Sequence, residues 1–326
     1  MTRVLAMVSG GLDSILAAKL IKDQGIEVIG VCFKSHFFDE QNAIKMTEQI
    51  GIPLKVVDFS EEHFSMVKHP KHGYGKNMNP CIDCHSLMLN YTGKLLEDLN
   101  ADFIITGEVL NQRPMSQTRS SLDIVKKESG FSDKILRPLC AKNLPPTEME
   151  VKGLVDREKL LDISGRSRKI QMELADKWGI KDYPSPAGGC KLTEPNYSKR
   201  LRELLNHNDN PSNRELELLK YGRHFRVSSS AKIISTRTKE EGDQVKKYLD
   251  KGDLIFFAED FNGSMIIVVG EPNEEDIKFA AKVTARYSKA KDEKLVKVKY
   301  GKFMSPLDNH IEVEPASEEG INEYII

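Results

Sequence analysis

Short apolar runs alternate with stretches of helical spacing through the first half of the chain. Val4–Val8 reads as a strand. Leu12, Ile15, Leu16 and Leu20 then fall at helical spacing, which predicts a helix over Asp13–Gln24. The pattern repeats with a β-rich run at Val28–Phe33, a helix at Gln41–Gln49 and a strand at Leu54–Asp58. A polar loop with His69, Pro70, His72, Gly73 and Gly75 leads to Cys81. Cys84–Leu99 is helical in period, and Phe103–Thr106 is a short apolar strand. This βαβα order predicts an α/β fold with a doubly wound parallel sheet. Ligands of such sheets sit beyond the carboxyl ends of the strands. Here those ends carry Ser9–Ser14, Phe33–Phe38, Asp58–Ser60 and Gly107–Gln117.

The pattern changes near residue 192. Before it come the basic run Gly165–Lys169, a helical stretch to Trp178 and a Pro/Gly segment, Pro184–Cys190. After it comes a helix at Tyr197–Leu205 and a polar break, so residues 193–214 are expected to form a helical linker. Beyond residue 215 short strands alternate with helices: Phe225–Val227, Lys232–Thr236, Leu254–Ala258, Met265–Val269, helix Glu274–Lys289 and Leu295–Tyr300. The expected organisation is residues 1–192 as one domain and 215–326 as a smaller α+β domain.

Composition narrows the setting. The chain has 326 residues, 39% hydrophobic and 30% charged, which suits a globular protein with a sizeable core. The net charge is −1, so nucleic acid would have to be drawn in by local patches rather than a global field. No apolar run reaches membrane-span length, and the N-terminus enters a strand directly. Five cysteines, an odd number with no secretion signal, point to a reducing, cytoplasmic setting.

Ser9–Ser14 reads SGGLDS between the first strand and the first helix. Gly10 and Gly11 lack a Cβ, so the backbone can turn through positive φ and approach a ligand closely. The N–H groups of the turn and of the helix start point at one spot, which suits a pyrophosphate. The Ser9 and Ser14 hydroxyls add donors. Asp13 can cap the helix or hold a magnesium ion. No GxxxxGK[ST] sequence occurs, which excludes a Walker-type loop. Phe33, at the end of the second strand, is placed to flank an adenine or to pack in the core.

SGGLDS at the end of the first strand resembles the PP-loop of the N-type ATP pyrophosphatases. That family cleaves ATP between the α- and β-phosphates and adenylates a carbonyl oxygen. The resemblance implies ATP with Mg2+ as the nucleotide. It also implies that Gly107, Glu108, Gln112 and Arg113 contact nucleotide or substrate, the Arg113 guanidinium being suited to phosphate.

Cys81 and Cys84 form NPCIDCH at a helix start, and Cys190 ends the Pro/Gly segment. A CxxC with a third, distant cysteine admits several chemistries. The three thiolates can ligate a 4Fe–4S cluster whose fourth iron is open to sulfide. They can instead hold Zn2+, or serve as persulfide-bearing nucleophiles. Cys32, inside an apolar strand, and Cys140 are expected to be buried hydrophobes. NPCIDCH followed by a helix and the strand ADFIITG resembles the 2-thiouridine synthases of the MnmA type. The CxxC-plus-one pattern after a PP-loop also resembles cluster-dependent tRNA thiolases and the sulfur-inserting LarE. The resemblance spans about residues 1–192. ThiI-type 4-thiouridine synthases carry an N-terminal RNA-binding THUMP domain. This sequence starts at the PP-loop, so RNA is expected to be held elsewhere.

Residues 278–302 offer that place. Lys278, Lys282, Arg286, Lys289, Lys291, Lys294, Lys297, Lys299 and Lys302 outnumber the acids, and Tyr287 and Tyr300 interleave. Such a patch suits phosphate contact with base stacking, or equally a solvated helix beside a lysine-protected edge strand. The stretch AAKVTARYSKAKDEKLVKVKYG, with Gly222–Val227, resembles the RNA-binding R domain of NFACT proteins over roughly 215–326. Arg166, Arg168 and Lys169 in GRSRK add basic residues near the expected active face.

Together these features imply an ATP-dependent tRNA thiouridylase. Cys81 and Cys190 are its reactive cysteines, Asp13 its phosphate-site acid, and a hydrosulfide, a persulfide protein or a sulfur carrier its sulfur donor. The alternatives are sulfur insertion into a small molecule, or an RNA-binding adaptor with a structural nucleotide site. A homodimer would place one subunit's C-terminal domain beside the other's active site.

Overall fold

The first sheet is built outward from β1 (Arg3–Met7), which is flanked in parallel by β2 (Glu27–Lys34) and, on its other side, by β4 (Phe103–Thr106). β3 (Leu54–Asp58) and β5 (Ile135–Leu136) complete the parallel order β3-β2-β1-β4-β5. The computed structural model describes residues 1–186 and 189–326. Alternate side chains of the central strands serve two cores, as the period of a strand requires. Val4, Ala6, Phe103 and Ile105 pack with α1 (Leu12–Lys22), α2 (Gln41–Ile50) and, through Ala175, α7 (Lys169–Lys177). Leu5, Val31, Phe33 and Ile104 face the opposite core, which includes residues of α4 (Cys81–Asp98) and α5 (Arg119–Glu128). The strand order reverses between β1 and β4, the position at which such sheets open a crevice.

Two helices break the expected pattern. α3 (Ser60–Lys68) occupies the start of what reads as a loop, because Phe59, His63, Phe64 and Val67 turn one face inward. The polar α5 contributes only Leu122 and Val125, with Ser121, to the interior, too thin a stripe to stand out in the sequence. α6 is a single turn, Glu148–Val151.

Contacts divide the chain into Met1–Glu194 and Pro195–Ile326. The second unit opens with α8 (Pro195–His207), the segment read as a linker. It buries Tyr197, Leu201 and Leu204, and its Arg200 guanidinium donates to the carbonyls of Leu219 and Gly222. α9 (Asn213–Leu218) follows, then β6 (Arg223–Phe225), β7 (Ala231–Ser235), α10 (Lys239–Val245), β8 (Leu254–Ala258) and β9 (Ile266–Gly270). α11 (Glu274–Arg286), β10 (Val296–Lys302), β11 (Asn309–Val313) and α12 (Glu318–Asn322) close the chain. The antiparallel sheet has the order β11-β10-β8-β9-β7-β6. Ile233 of β7 packs in the core that includes α11, and Ile234 packs in a second one with Val245 and Leu249.

Candidate active site

The turn after β1 has the conformation the sequence requires at Gly10 and not at Gly11. Gly10 sits at φ +77°, and a Cβ there would lie 2.6 Å from both the Ala43 nitrogen and the Asn42 Cβ at the start of α2. Gly11 is the extended N-cap of α1, with φ −81°, and a Cβ there would meet only the Ser9 hydroxyl, at 3.4 Å. The fold therefore needs glycine at 10, whereas a side chain at 11 would have room. Gly10→Ala should lower the melting temperature by several degrees, since positive φ costs a β-carbon residue about 1–2 kcal/mol. Gly11→Ala should melt like the parent but lose nucleotide affinity. Paired thermal melts and nucleotide titrations check both, and equal melts for the two variants would refute the assignment.

Asp13 lies in the first turn of α1 and is no cap. Its Oδ2 accepts from Gln112 Nε2 at 2.6 Å, and Gln112 Oε1 in turn accepts from the buried Gln171 of α7 at 2.8 Å. Its Oδ1 is buried with no hydrogen-bond partner among the described residues, and Arg168 Nη2 stands 4.0 Å away. Arg168 Nε is buried and unpartnered as well. A hard carboxylate oxygen left unsatisfied beside a phosphate-sized turn fits a Mg2+ ligand. Ser14 Oγ donates to Gly11 O at 2.8 Å, which tightens the turn.

The loop after β4 closes against this helix start. A Cβ on Gly107 would fall 2.4 Å from the Ser14 nitrogen, so only glycine lets the two backbones approach. The next residue, Glu108, is no nucleotide contact. Its Oε2 accepts from Arg137 Nε at 2.8 Å and from Thr106 Oγ1 at 3.1 Å, and its Oε1 is 2.9 Å from His85 Nδ1. Burial would raise its pKa, but the Arg137 guanidinium and the His85 hydrogen bond outweigh burial and hold it at about 2. Glu108 thus binds the β4 exit to His85, the neighbour of Cys84.

The thiols gather at the N-terminus of α4. Cys81 is its first residue, and its Sγ accepts from Asn79 Nδ2 at 3.3 Å. His63 Nε2 lies 3.2 Å from Cys84 Sγ, and the ring stacks on Phe59 with centroids 4.8 Å apart. Burial, and then the neighbouring His36, lower the His63 pKa to about 3, so the imidazole is neutral at pH 7. His63 Nδ1 is buried without a partner. The neutral ring and the protonated thiol can share one hydrogen bond, with the donor set by the His63 tautomer. Burial and the charges of Cys190, Cys81 and Asp83 push the Cys84 thiol far up. Burial, with Cys81 nearby, pushes Cys190 up to about 12. The three cysteines named from sequence are thus close enough to feel one another's charge.

Loop hydrogen bonds hold this arrangement. His72 donates its backbone N–H to Asp83 Oδ2 at 2.9 Å, while its Nδ1 is 2.8 Å from Oδ1. Asn77 Nδ2 donates to Thr193 O at 2.7 Å, and Lys191 N donates to Phe37 O at 2.9 Å, which pins the chain just after Cys190. Ala187 and Gly188 of that segment lie outside the described residues. Among the described residues no group of three or more His, Cys, Asp or Glu side chains stands in a metal-holding arrangement.

Other sequence-derived candidates separate. Phe33 is 5% exposed and packs on Phe59 at 4.9 Å, so it belongs to the core and not to an adenine pocket. Arg113 Nη2 donates to Pro186 O at 3.3 Å. Arg166 and Lys169 are exposed, whereas Arg168 turns in beside Asp13. Cys32 and Cys140 are buried, and burial pushes their thiols up to about 12 and about 11. In the second unit Lys297 and Lys299 alternate with the buried Val296 and Val298 on β10. β10 pairs with both β8 and β11, so these lysines do not guard an edge. Arg286 ends α11, and Lys289 and Lys291 follow it. The interleaved tyrosines have internal partners: Tyr287 lies under Arg223 at 4.8 Å, and Tyr300 stacks on Phe256 at 4.8 Å. His63, Gln171 and Arg137 escaped the sequence reading. Only the H-x20-C separation of His63 from Cys84 could have hinted at the first, and that spacing carries no specific signal.

No helix among the described residues is long and apolar enough to cross a membrane. Curated relatives include the tRNA-specific 2-thiouridylases MnmA of Karelsulcia muelleri, 26% identical over 55% of this chain and 50% of that protein, and of Marinobacter nauticus, 31% identical over 63% and 54%. The chain therefore spans about half the length of the curated relatives it matches. A solved 4-thiouridine synthetase–RNA complex with bound ATP overlaps at TM-score 0.36 and 17% identity, covering 55% of this chain and 52% of that one. Residues 1–144 match the family model of the thiamine biosynthesis protein ThiI, and residues 222–325 match that of the NFACT protein RNA binding domain. The chain is thus similar to the ThiI family over residues 1–144 and to the NFACT RNA binding domain over residues 222–325.

Proposed function

We propose that this protein is an ATP-dependent tRNA sulfurtransferase that adenylates a uridine carbonyl and replaces its oxygen with sulfur. The observation that carries this reading is one continuous contact path. Asp13 and Ser14 abut Gly107, Glu108 follows it, and Glu108 holds His85, which is adjacent to Cys84. Nucleotide activation and thiol chemistry are thereby joined in one unit.

In the proposed reaction the turn Ser9–Ser14 binds the triphosphate with its backbone N–H groups. Magnesium, when bound at Asp13 Oδ1, neutralises charge on the phosphates. Arg168, beside Asp13, is a second cation for the same charge. The uridine oxygen attacks the α-phosphorus and pyrophosphate leaves. A terminal persulfide sulfur, passed to Cys81 or Cys190 from the persulfide of a donor protein whose thiol is thereby released, then attacks the ring carbon, and AMP departs. The other of these two thiols attacks the cysteine sulfur of the resulting mixed disulfide. This forms a Cys–Cys disulfide and releases the thiolated base. The two thiols supply the two electrons, and an external thiol reductant restores them. His63 orients the Cys84 sulfur beside this pair. tRNA is held by Arg286, Lys289, Lys291, Lys297 and Lys299 through phosphate contacts; Arg166 and Lys169 add to the basic surface.

Cys81→Ser and Cys190→Ser should each abolish tRNA thiolation yet leave tRNA-dependent pyrophosphate release near the parental rate. Loss of both half-reactions in either variant would contradict the assignment. Nucleoside mass spectrometry of tRNA from a deletion strain tests the whole reading. One missing thionucleoside is expected. An unchanged thionucleoside profile would instead favour sulfur insertion into a small molecule.

A further inference from the structure

A chain of amides links α7 to the turn after β1, and the proposed reaction gives its far end no task. Gln171 of α7 is 0% exposed. Its Nε2 donates to Gln112 Oε1 at 2.8 Å, and Gln112 Nε2 donates to Asp13 Oδ2 at 2.6 Å. Gln171 Oε1 is buried with no hydrogen-bond partner among the described residues. An unpaired buried acceptor burdens the fold, and an apolar side chain would fill the same place without that burden. The chain of amides is not what holds its elements together. Gly165 N, ahead of α7, donates to Leu110 O at 2.8 Å, and Ala175, one turn beyond Gln171, packs in the core that includes α1. The backbone at Gln112 is fixed by other bonds. Its N–H donates to Val109 O at 3.2 Å, and Asn111, in the left-handed region at φ +62°, donates its N–H to Gln117 O at 2.7 Å. What remains to be set at Gln112 is its side chain.

A carboxylate oxygen only accepts, so Asp13 requires the NH2 of Gln112 and not its carbonyl. Turning that NH2 to Asp13 leaves Gln112 Oε1 on the other side of the amide, in need of a donor. Gln171 supplies the donor and so decides which way round the Gln112 amide lies. With the amide reversed, two acceptor oxygens would face each other at hydrogen-bond distance. Groups that orient a metal ligand from behind in this way carry much of the metal's affinity. We propose that Gln171 is a positioning residue for the magnesium carboxylate: through Gln112 it commits Asp13 Oδ2 to the protein and leaves Oδ1 for the metal. The inference rests on the reading of Asp13 as a Mg2+ ligand of the nucleotide site.

The test titrates Mg2+ into the full-length protein with ATP and follows nucleotide binding rather than turnover. The parent, Asp13→Ala, Gln171→Met, Gln112→Met and the double variant Gln112→Met/Gln171→Met are compared. Methionine is unbranched and close to glutamine in volume, so Gln171→Met should melt within a few degrees of the parent. It should nevertheless raise the half-saturating Mg2+ concentration about tenfold or more. Gln112→Met should raise it at least as far, and the double variant no further than Gln112→Met alone, because Gln171 acts through Gln112. Unchanged Mg2+ dependence in a folded Gln171→Met protein overturns the proposal, as do additive effects in the double variant. A Gln171→Met protein that does not fold also overturns it, since the amide would then be structural. Those outcomes leave the reading of Asp13 intact. A parent whose ATP binding ignores Mg2+, or an Asp13→Ala protein that keeps the dependence, overturns that reading and this inference with it.

Discussion

Arg137→Leu is expected to destabilise the first unit by about 3–5 kcal/mol, the cost of leaving a buried carboxylate without its partner. Domains are stable by only about 5–15 kcal/mol, so a chain this weakened should be partly unfolded at physiological temperature. Glu108 is 6% exposed, and its Oε2 depends on the Arg137 guanidinium. Its folded pKa of about 2 lies below the ordinary value of 4.5. The ion pair's contribution is therefore complete above the unfolded pKa and is lost as pH falls from about 4.5 through about 2. Urea denaturation of the parent across that range should show stability falling with pH. In Arg137→Leu this acid limb should flatten. A variant within about 1 kcal/mol of the parent at pH 7 would show that Glu108 is satisfied by His85 and Thr106 alone, since 1 kcal/mol is the ordinary worth of one hydrogen bond.

Asp13→Ala should fold and yet lower tRNA-dependent pyrophosphate release by about 10²-fold or more, the usual cost of removing one electrostatic stabiliser of the transition state. The side chain caps nothing, and the helix start keeps its Ser14–Gly11 hydrogen bond. The distinguishing readout is binding rather than turnover. In the parent, Mg2+ should tighten ATP binding in a titration, and in Asp13→Ala that dependence should vanish. Retained Mg2+ dependence would move the cation to another oxygen.

The parallel sheet was legible because strands and helices alternate at short intervals and SGGLDS marks the end of β1. The three dispersed cysteines were likewise legible, since CxxC at a helix start is a local signal. What escaped depends on long-range pairing. Arg137 follows a two-residue strand, and nothing local ties it to Glu108. Gln171 reads as one polar position in a helix, although it is fully buried against Gln112. Phe33 reads equally well as an adenine wall or a core residue until Phe59 is seen beside it. Glu203 is separated from Arg226 and Lys232 in sequence, and only folding pairs them.

The close approach at Gly107 also has a mechanical meaning. Gly107 bears on the first helix, and Glu108, one peptide unit later, grips the fourth. Consecutive Cα atoms stand about 3.8 Å apart and the peptide between them is planar. The two neighbouring residues thus act as a fixed spacer, and the Ser9–Ser14 turn and the start of the fourth helix need no hinge to stay in register.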